Sequence, residues 1–204
     1  MSDQSAEPQQ TAKPQPEIAD TPMPETAKNS QTDASVPQQA TSHKANWTGN
    51  INTNGVIKID MLLQQLCHAF NTSPFFHHLH MQMIVQDQQI KCVIDMSETL
   101  IGNVAFQILH GGVAATMLDS IGGIVAMGEL YKRADKDHIA DTIKKVTRLA
   151  TVDMRIDYIA PGRGKQFIGS AEVLRMGRKG CTTRMNMHND EGKLIATGIA
   201  SYAY

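Results

Sequence analysis

The sequence predicts an α+β domain in which short alternating strands surround one long buried helix. Three observations predict it. Residues 81–96 alternate apolar and polar positions, residues 108–130 are apolar nearly all round, and residues 150–204 break into alternating segments separated by glycine-bearing turns. A hydrophobic content of 41% with only 19% charged residues fits a globular chain.

The chain begins differently. Six of the eight prolines precede residue 40, no glycine precedes Gly49 and no aromatic residue precedes Trp47. Such a segment has too little to bury to offset its ordering entropy. Residues 1–47 are therefore expected to form a disordered low-complexity tail, and residues 48–204 the folded domain. Six acids against three lysines leave residues 1–45 at −3, and the rest of this −1 chain at +2. That balance gives no basic footprint for nonspecific nucleic-acid binding. The start, MSDQSAE, lacks the basic and apolar regions of a secretory signal. Cys67, Cys92 and Cys181 are odd in number and widely spaced, which suits reduced thiols in a cytoplasmic protein and matches no metal pattern.

Within the domain, Ile59, Leu62, Leu63, Leu66 and Phe70 recur at helical spacing behind a possible Asp60 cap, and Asn71-Thr-Ser-Pro74 ends that helix. Met81, Met83 and Val85 alternate, as do Ile90, Cys92, Ile94 and Met96, with Asp87-Gln88 as the hairpin turn between them. After the long helix, four strands joined by PGRG, GRKG and NDEG read as an antiparallel meander. The helix is long enough to cross a membrane. A carboxylate at a bilayer centre costs about 2.5–3.5 kcal/mol on insertion scales. Asp119 at its middle and five glycines along it therefore point to a core helix, with no membrane span.

Asp119 is the most informative residue. A carboxylate on an apolar helix needs partners or a function. Its helical neighbours Ala115, Thr116, Gly122 and Gly123 are small and leave room for another backbone or a substrate. His110-Gly111-Gly112 opens the helix, where first-turn N–H groups lack intrahelical acceptors. Without a β-carbon, a ligand can approach those groups closely, and the helix dipole favours a developing oxyanion. Gly111 and Asp119 lie ~12 Å apart along a helix. If both serve one reacting carbon, the aspartate must come from a second copy of the chain, in a symmetric dimer.

GNVAFQILHGGVAATMLDSIGG followed by TVDMRIDYIAPGRG resembles the PaaI-type acyl-CoA thioesterases of the hotdog superfamily, over roughly residues 55–204. The resemblance implies a hotdog fold, an antiparallel sheet wrapped around a long central helix, with two subunits sharing a continuous sheet as a homodimer or dimer of dimers. It implies hydrolysis of acyl-CoA thioesters with no metal and no redox cofactor. Asp119 would be the general base or nucleophile, and the Gly111 N–H of the opposing subunit would polarise the carbonyl. Asn103 would position water or substrate, Thr151 would contact the reacting water, and His110 would support the motif. Arg175, Arg178 and Lys179 around the GRKG turn, and Arg163 on PGRG, would receive the phosphates of coenzyme A. The alternatives are a hotdog dehydratase acting on 3-hydroxyacyl thioesters and a noncatalytic acyl-CoA-binding protein.

The tail has no counterpart in that resemblance. Truncation at Lys44 should leave the melting temperature and thioester hydrolysis almost unchanged; a large loss of either would show that the tail packs on the domain.

Overall fold

The computed structural model describes residues 59–204; the tail assigned to residues 1–47 and the start of the domain lie outside them. Two helices come first, α1 (Ile59–Asn71) and α2 (Pro74–Leu79). Asp60 sits inside the first turn of α1 rather than capping it. The short α2 after Asn71-Thr-Ser was not anticipated; Pro74 opens it, where a missing N–H costs nothing. Strands β1 (Met81–Gln86) and β2 (Gln89–Asp95) form the expected hairpin. Both turn residues, Asp87 and Gln88, take positive φ values of 51° and 60°, as a two-residue type I′ turn requires.

A small antiparallel pair, β3 (Ile101–Asn103) with β4 (Ile108–Leu109), leads into the long helix α3 (Gly111–Lys132). Met117, Leu118, Ile121 and Ile124 on α3 are wholly buried, and the cluster around them joins α1 and the inner faces of β2, β6, β7 and β8. Helix α3 is long and apolar enough to cross a membrane, but here it is the core around which the sheet wraps. One stripe of its N-terminal half stays uncovered or half-covered: Gly112, Ala115, Thr116, Asp119 and Ser120, at helical i, i+3, i+4, i+7 and i+8 spacing. An amphipathic helix, α4 (Ile139–Arg148), follows and packs Val146 beside Leu62, Leu130 and Tyr131.

Strands β5 (Ala150–Tyr158), β6 (Gln166–Met176), β7 (Gly180–Asn189) and β8 (Leu194–Ala203) complete a six-stranded, wholly antiparallel sheet in the order β1-β2-β6-β7-β8-β5. The last four strands are therefore not a simple meander. GRKG and NDEG do close hairpins, whereas PGRG carries the chain across from edge strand β5 to β6. Turn chemistry alone does not distinguish a hairpin from a crossover of similar length. On that crossover a β-carbon at Gly162 would lie 2.7 Å from the Leu109 side chain, so the loop crosses β4 only with glycine there. Asn189, buried in the following hairpin, donates from Nδ2 to the Arg163 carbonyl at 2.8 Å and holds the crossover down.

Edge strand β5 carries a β-bulge. Thr151 pairs with Tyr202 and Asp153 pairs with Ser201, so Val152 is an extra residue and stands 67% exposed. Beyond the bulge, Met154 and Ile156 pack on the core, while Arg155 and Asp157 pair with each other at 3.0 Å on the outer face. Strict alternation would put Thr151 on that outer face with Arg155. The extra residue shifts the phase and turns Thr151 to the face that Tyr202 shares, toward α3. Deleting Val152 should therefore keep β5 paired with β8 from Asp153 onward while residue 151 turns outward. A crystal structure of the deletion variant with Thr151 still facing α3 would contradict this account of the bulge.

Candidate active site

The start of α3 is built around its cap. Gly112 N–H donates to His110 Nδ1 at 2.9 Å, and the His110 carbonyl accepts from Val113 N–H at 3.0 Å and Ala114 N–H at 3.4 Å. His110 therefore serves as the N-cap residue, its imidazole replacing the usual hydroxyl or carboxylate. Acceptance at Nδ1 puts the ring proton of the neutral imidazole on Nε2. The N–H of Gly111 finds no acceptor among the described residues. It is the position singled out from the sequence as a carbonyl-polarising donor.

Tyr158, at the far end of β5, lies over this turn. Its hydroxyl donates to the Gly111 carbonyl at 3.1 Å, and its ring sits 3.3 Å from where a Gly111 β-carbon would be. Beside them opens an apolar pocket of about 320 Å³, lined by Ile108, Leu109, Ala114, Ile159, Pro161 and Ile195 among others.

Asp119 lies two turns further along α3 and is half-buried on the uncovered stripe. The Thr151 hydroxyl donates to its Oδ1 at 2.8 Å. The hydroxyl of Tyr202, the residue paired with Thr151 across the β5–β8 ladder, donates to its main-chain carbonyl at 3.0 Å. Two adjacent cross-strand residues thus hold this aspartate, one by its side chain and one by its backbone. Gly122 and Gly123 give no room to a substrate: the Tyr202 ring and hydroxyl occupy the space beside them, with Thr183 and Met185.

Asn103 ends β3 close to the helix start, and its Oδ1 accepts from Phe106 N–H at 3.2 Å, closing the β3–β4 turn. Arg163 is exposed on the crossover and donates to the Phe106 carbonyl at 3.3 Å. Arg175, Arg178 and Lys179 are exposed at the β6–β7 end, and none of the ion pairs among the described residues involves them. Tyr204 pins that turn, its one hydroxyl proton shared between the Gly177 carbonyl at 2.8 Å and the Gly180 carbonyl at 3.1 Å. Met176, Cys181, Tyr202 and Thr151 form one row across the sheet. The basic turn therefore lies at the same end of the sheet as Asp119, with β7 about 10 Å from β5 across two ladder spacings.

The structure thus groups Asp119 with Thr151, and His110 with Gly111, as two separate clusters, while the Asn103 side chain bonds within its own turn. Sequence reasoning missed Tyr158, Tyr202 and the bulge at Val152. Nothing local distinguishes those tyrosines from other inward-facing strand residues.

The thioesterase superfamily profile matches residues 106–196. The medium/long-chain acyl-CoA thioesterase YigI of Escherichia coli K12 is 38% identical over 103 residues, which are 50% of this chain and 66% of that protein's length. A Shewanella oneidensis protein related to the thioesterase superfamily superposes with a TM-score of 0.67 at 37% identity, covering 71% of this chain and 96% of that one. A thioesterase family protein from Silicibacter pomeroyi, 20% identical, shares the fold with a TM-score of 0.54, over 69% of this chain and 95% of its own. With 37% identity spanning nearly the whole Shewanella protein, and with a six-stranded antiparallel sheet wrapped around one long helix, this chain belongs to the thioesterase superfamily and has its hotdog fold.

Proposed function

We propose that this protein hydrolyses acyl-CoA thioesters to free acid and coenzyme A, at sites shared between two copies of the chain. The observation that carries the proposal is the pair of clusters anchored at opposite ends of β5: Thr151 on Asp119, and Tyr158 on Gly111. Strand β5 is a sheet edge, and Val152, Tyr158 and Ile159 leave it with exposed apolar side chains. Pairing of this edge with a second copy about a twofold axis would bring the Thr151 end of one strand beside the Tyr158 end of the other. Asp119 would then face Gly111 of the second copy. Within one helix the two remain ~12 Å apart.

In this reading the Asp119 carboxylate takes a proton from water as the water oxygen attacks the thioester carbon. Thr151 occupies Oδ1 and leaves Oδ2 for that water. The oxyanion forms against the Gly111 N–H at the positive end of α3. Collapse of the tetrahedral intermediate breaks the C–S bond and releases coenzyme A, with the proton returned to its sulfur. Asn103 would help orient substrate beside Gly111, and His110 would hold the helix start in shape. The His110 imidazole accepts from Gly112 N–H at Nδ1, which supports this structural part for the ring.

The apolar pocket beside Gly111 suits the aliphatic part of a medium or long acyl group, in keeping with the name of the E. coli relative. Arg175, Arg178 and Lys179 would receive the phosphates of coenzyme A, with Arg163 as a further cation. Three buried free thiols, with burial pushing Cys67 up to about 11, fit a reducing compartment and a cytoplasmic protein.

Asp119→Asn keeps the size of the side chain and removes its basicity. Turnover of a medium-chain acyl-CoA, followed by free-thiol release, should fall at least ~100-fold while the protein stays folded. Near-normal hydrolysis by the folded variant would remove Asp119 from the chemistry. No thiol release by the unmodified protein from any acyl-CoA between short and long chain would leave the binding-protein alternative.

A further inference from the structure

We infer that Tyr202 is a positioning residue for the hydrolytic reaction: its hydroxyl fixes the turn of α3 that carries Asp119. The inference rests on the proposed role of Asp119. Tyr202 is 2% exposed, lies on the penultimate residue of β8 and points inward beneath α3. Its hydroxyl donates to the Asp119 carbonyl at 3.0 Å. In a helix that carbonyl already accepts from the N–H four residues on, so the phenol fills its second lone pair. The wholly buried Thr183 hydroxyl lies beside the phenol against Gly122 and donates to Met185 Sδ at 3.1 Å.

The helix is shaped to receive this ring. A β-carbon at Gly122 would overlap the Tyr202 hydroxyl and would stand 2.9 Å from Thr183 Oγ1; one at Gly123 would touch the ring at 3.4 Å. Glycine is unfavourable in the middle of a helix, and here two adjacent ones admit a phenol to one particular carbonyl. A phenylalanine would fill the same volume without making that bond. Thr151 and Tyr202 face each other across the ladder, so the Asp119 carboxylate and the Asp119 backbone are referred to the same sheet position. Burial keeps the phenol neutral by pushing its pKa up, so it remains a donor throughout the working pH range.

The test compares the unmodified protein, Tyr202→Phe and Asp119→Asn on one acyl-CoA, measuring kcat, KM and the melting curve. Assays are run well below each melting midpoint. Tyr202→Phe should lower kcat by between about tenfold and about 100-fold, the scale of a sub-ångström to ångström misplacement, with KM within about twofold. Gly122→Ala, which drives a methyl into the phenol, should show the same split of kcat from KM, and it carries the test if Tyr202→Phe does not fold. A lowered melting point with kcat unchanged would make Tyr202 merely structural and overturn the inference, leaving the role of Asp119 intact if Asp119→Asn is inactive. Full activity in Asp119→Asn would overturn both.

Discussion

An apolar helix can carry a carboxylate in its middle only if something holds that carboxylate, and much of this fold is arranged to do so. Asp119 interrupts a helix whose other faces are packed against the sheet and against α1 and α4. It is kept on the uncovered stripe and tied by Thr151 through its side chain and by Tyr202 through its backbone. A half-buried group with fixed partners has a defined direction, which a solvated aspartate lacks. The bulge at Val152, the twin glycines of α3 and the inward phenol of β8 each serve that one placement.

The same strand organises the second cluster. The two ends of β5 touch α3 at Asp119 and at Gly111, so the helix and the edge strand are registered to each other at both points. Because β5 is also one of the two edges of the sheet, anything that pairs with it inherits that registration. Our proposal of a shared site follows from this geometry: a twofold axis through an antiparallel edge exchanges its two ends.

Much of this was legible in the sequence, for identifiable reasons. The β1–β2 hairpin showed because one face is buried and the other solvated, giving clean alternation, and α3 showed because it is apolar on nearly every side. Asp119 and His110-Gly111-Gly112 stood out because each breaks a local rule, a charge in a core helix and glycines at a helix start. The order of the strands was not legible. PGRG has the composition of a hairpin turn, and its real path is set by Leu109 beneath Gly162 and by Asn189, both distant in sequence. Tyr202 and Tyr158 were hidden for a related reason. Each has the pattern of an ordinary strand residue, and its contact with α3 exists only across 83 or 47 residues of separation. The twin glycines carried a real signal, a need for space, but not what fills it.

The central claim is that Asp119 and Gly111 act on one substrate from two different chains. Subunit mixing tests it most directly. Asp119→Asn chains would be combined in equal amounts with Gly111→Val chains, whose added side chain is forced against Tyr158 at the helix start. Each variant alone should be nearly inactive. In a mixed dimer one site collects both defects and the other collects neither, so random pairing should restore activity to about a quarter of all sites. No recovery, with subunit exchange demonstrated independently, would mean that the two groups act within one chain or that one of them takes no part, and the account would fail.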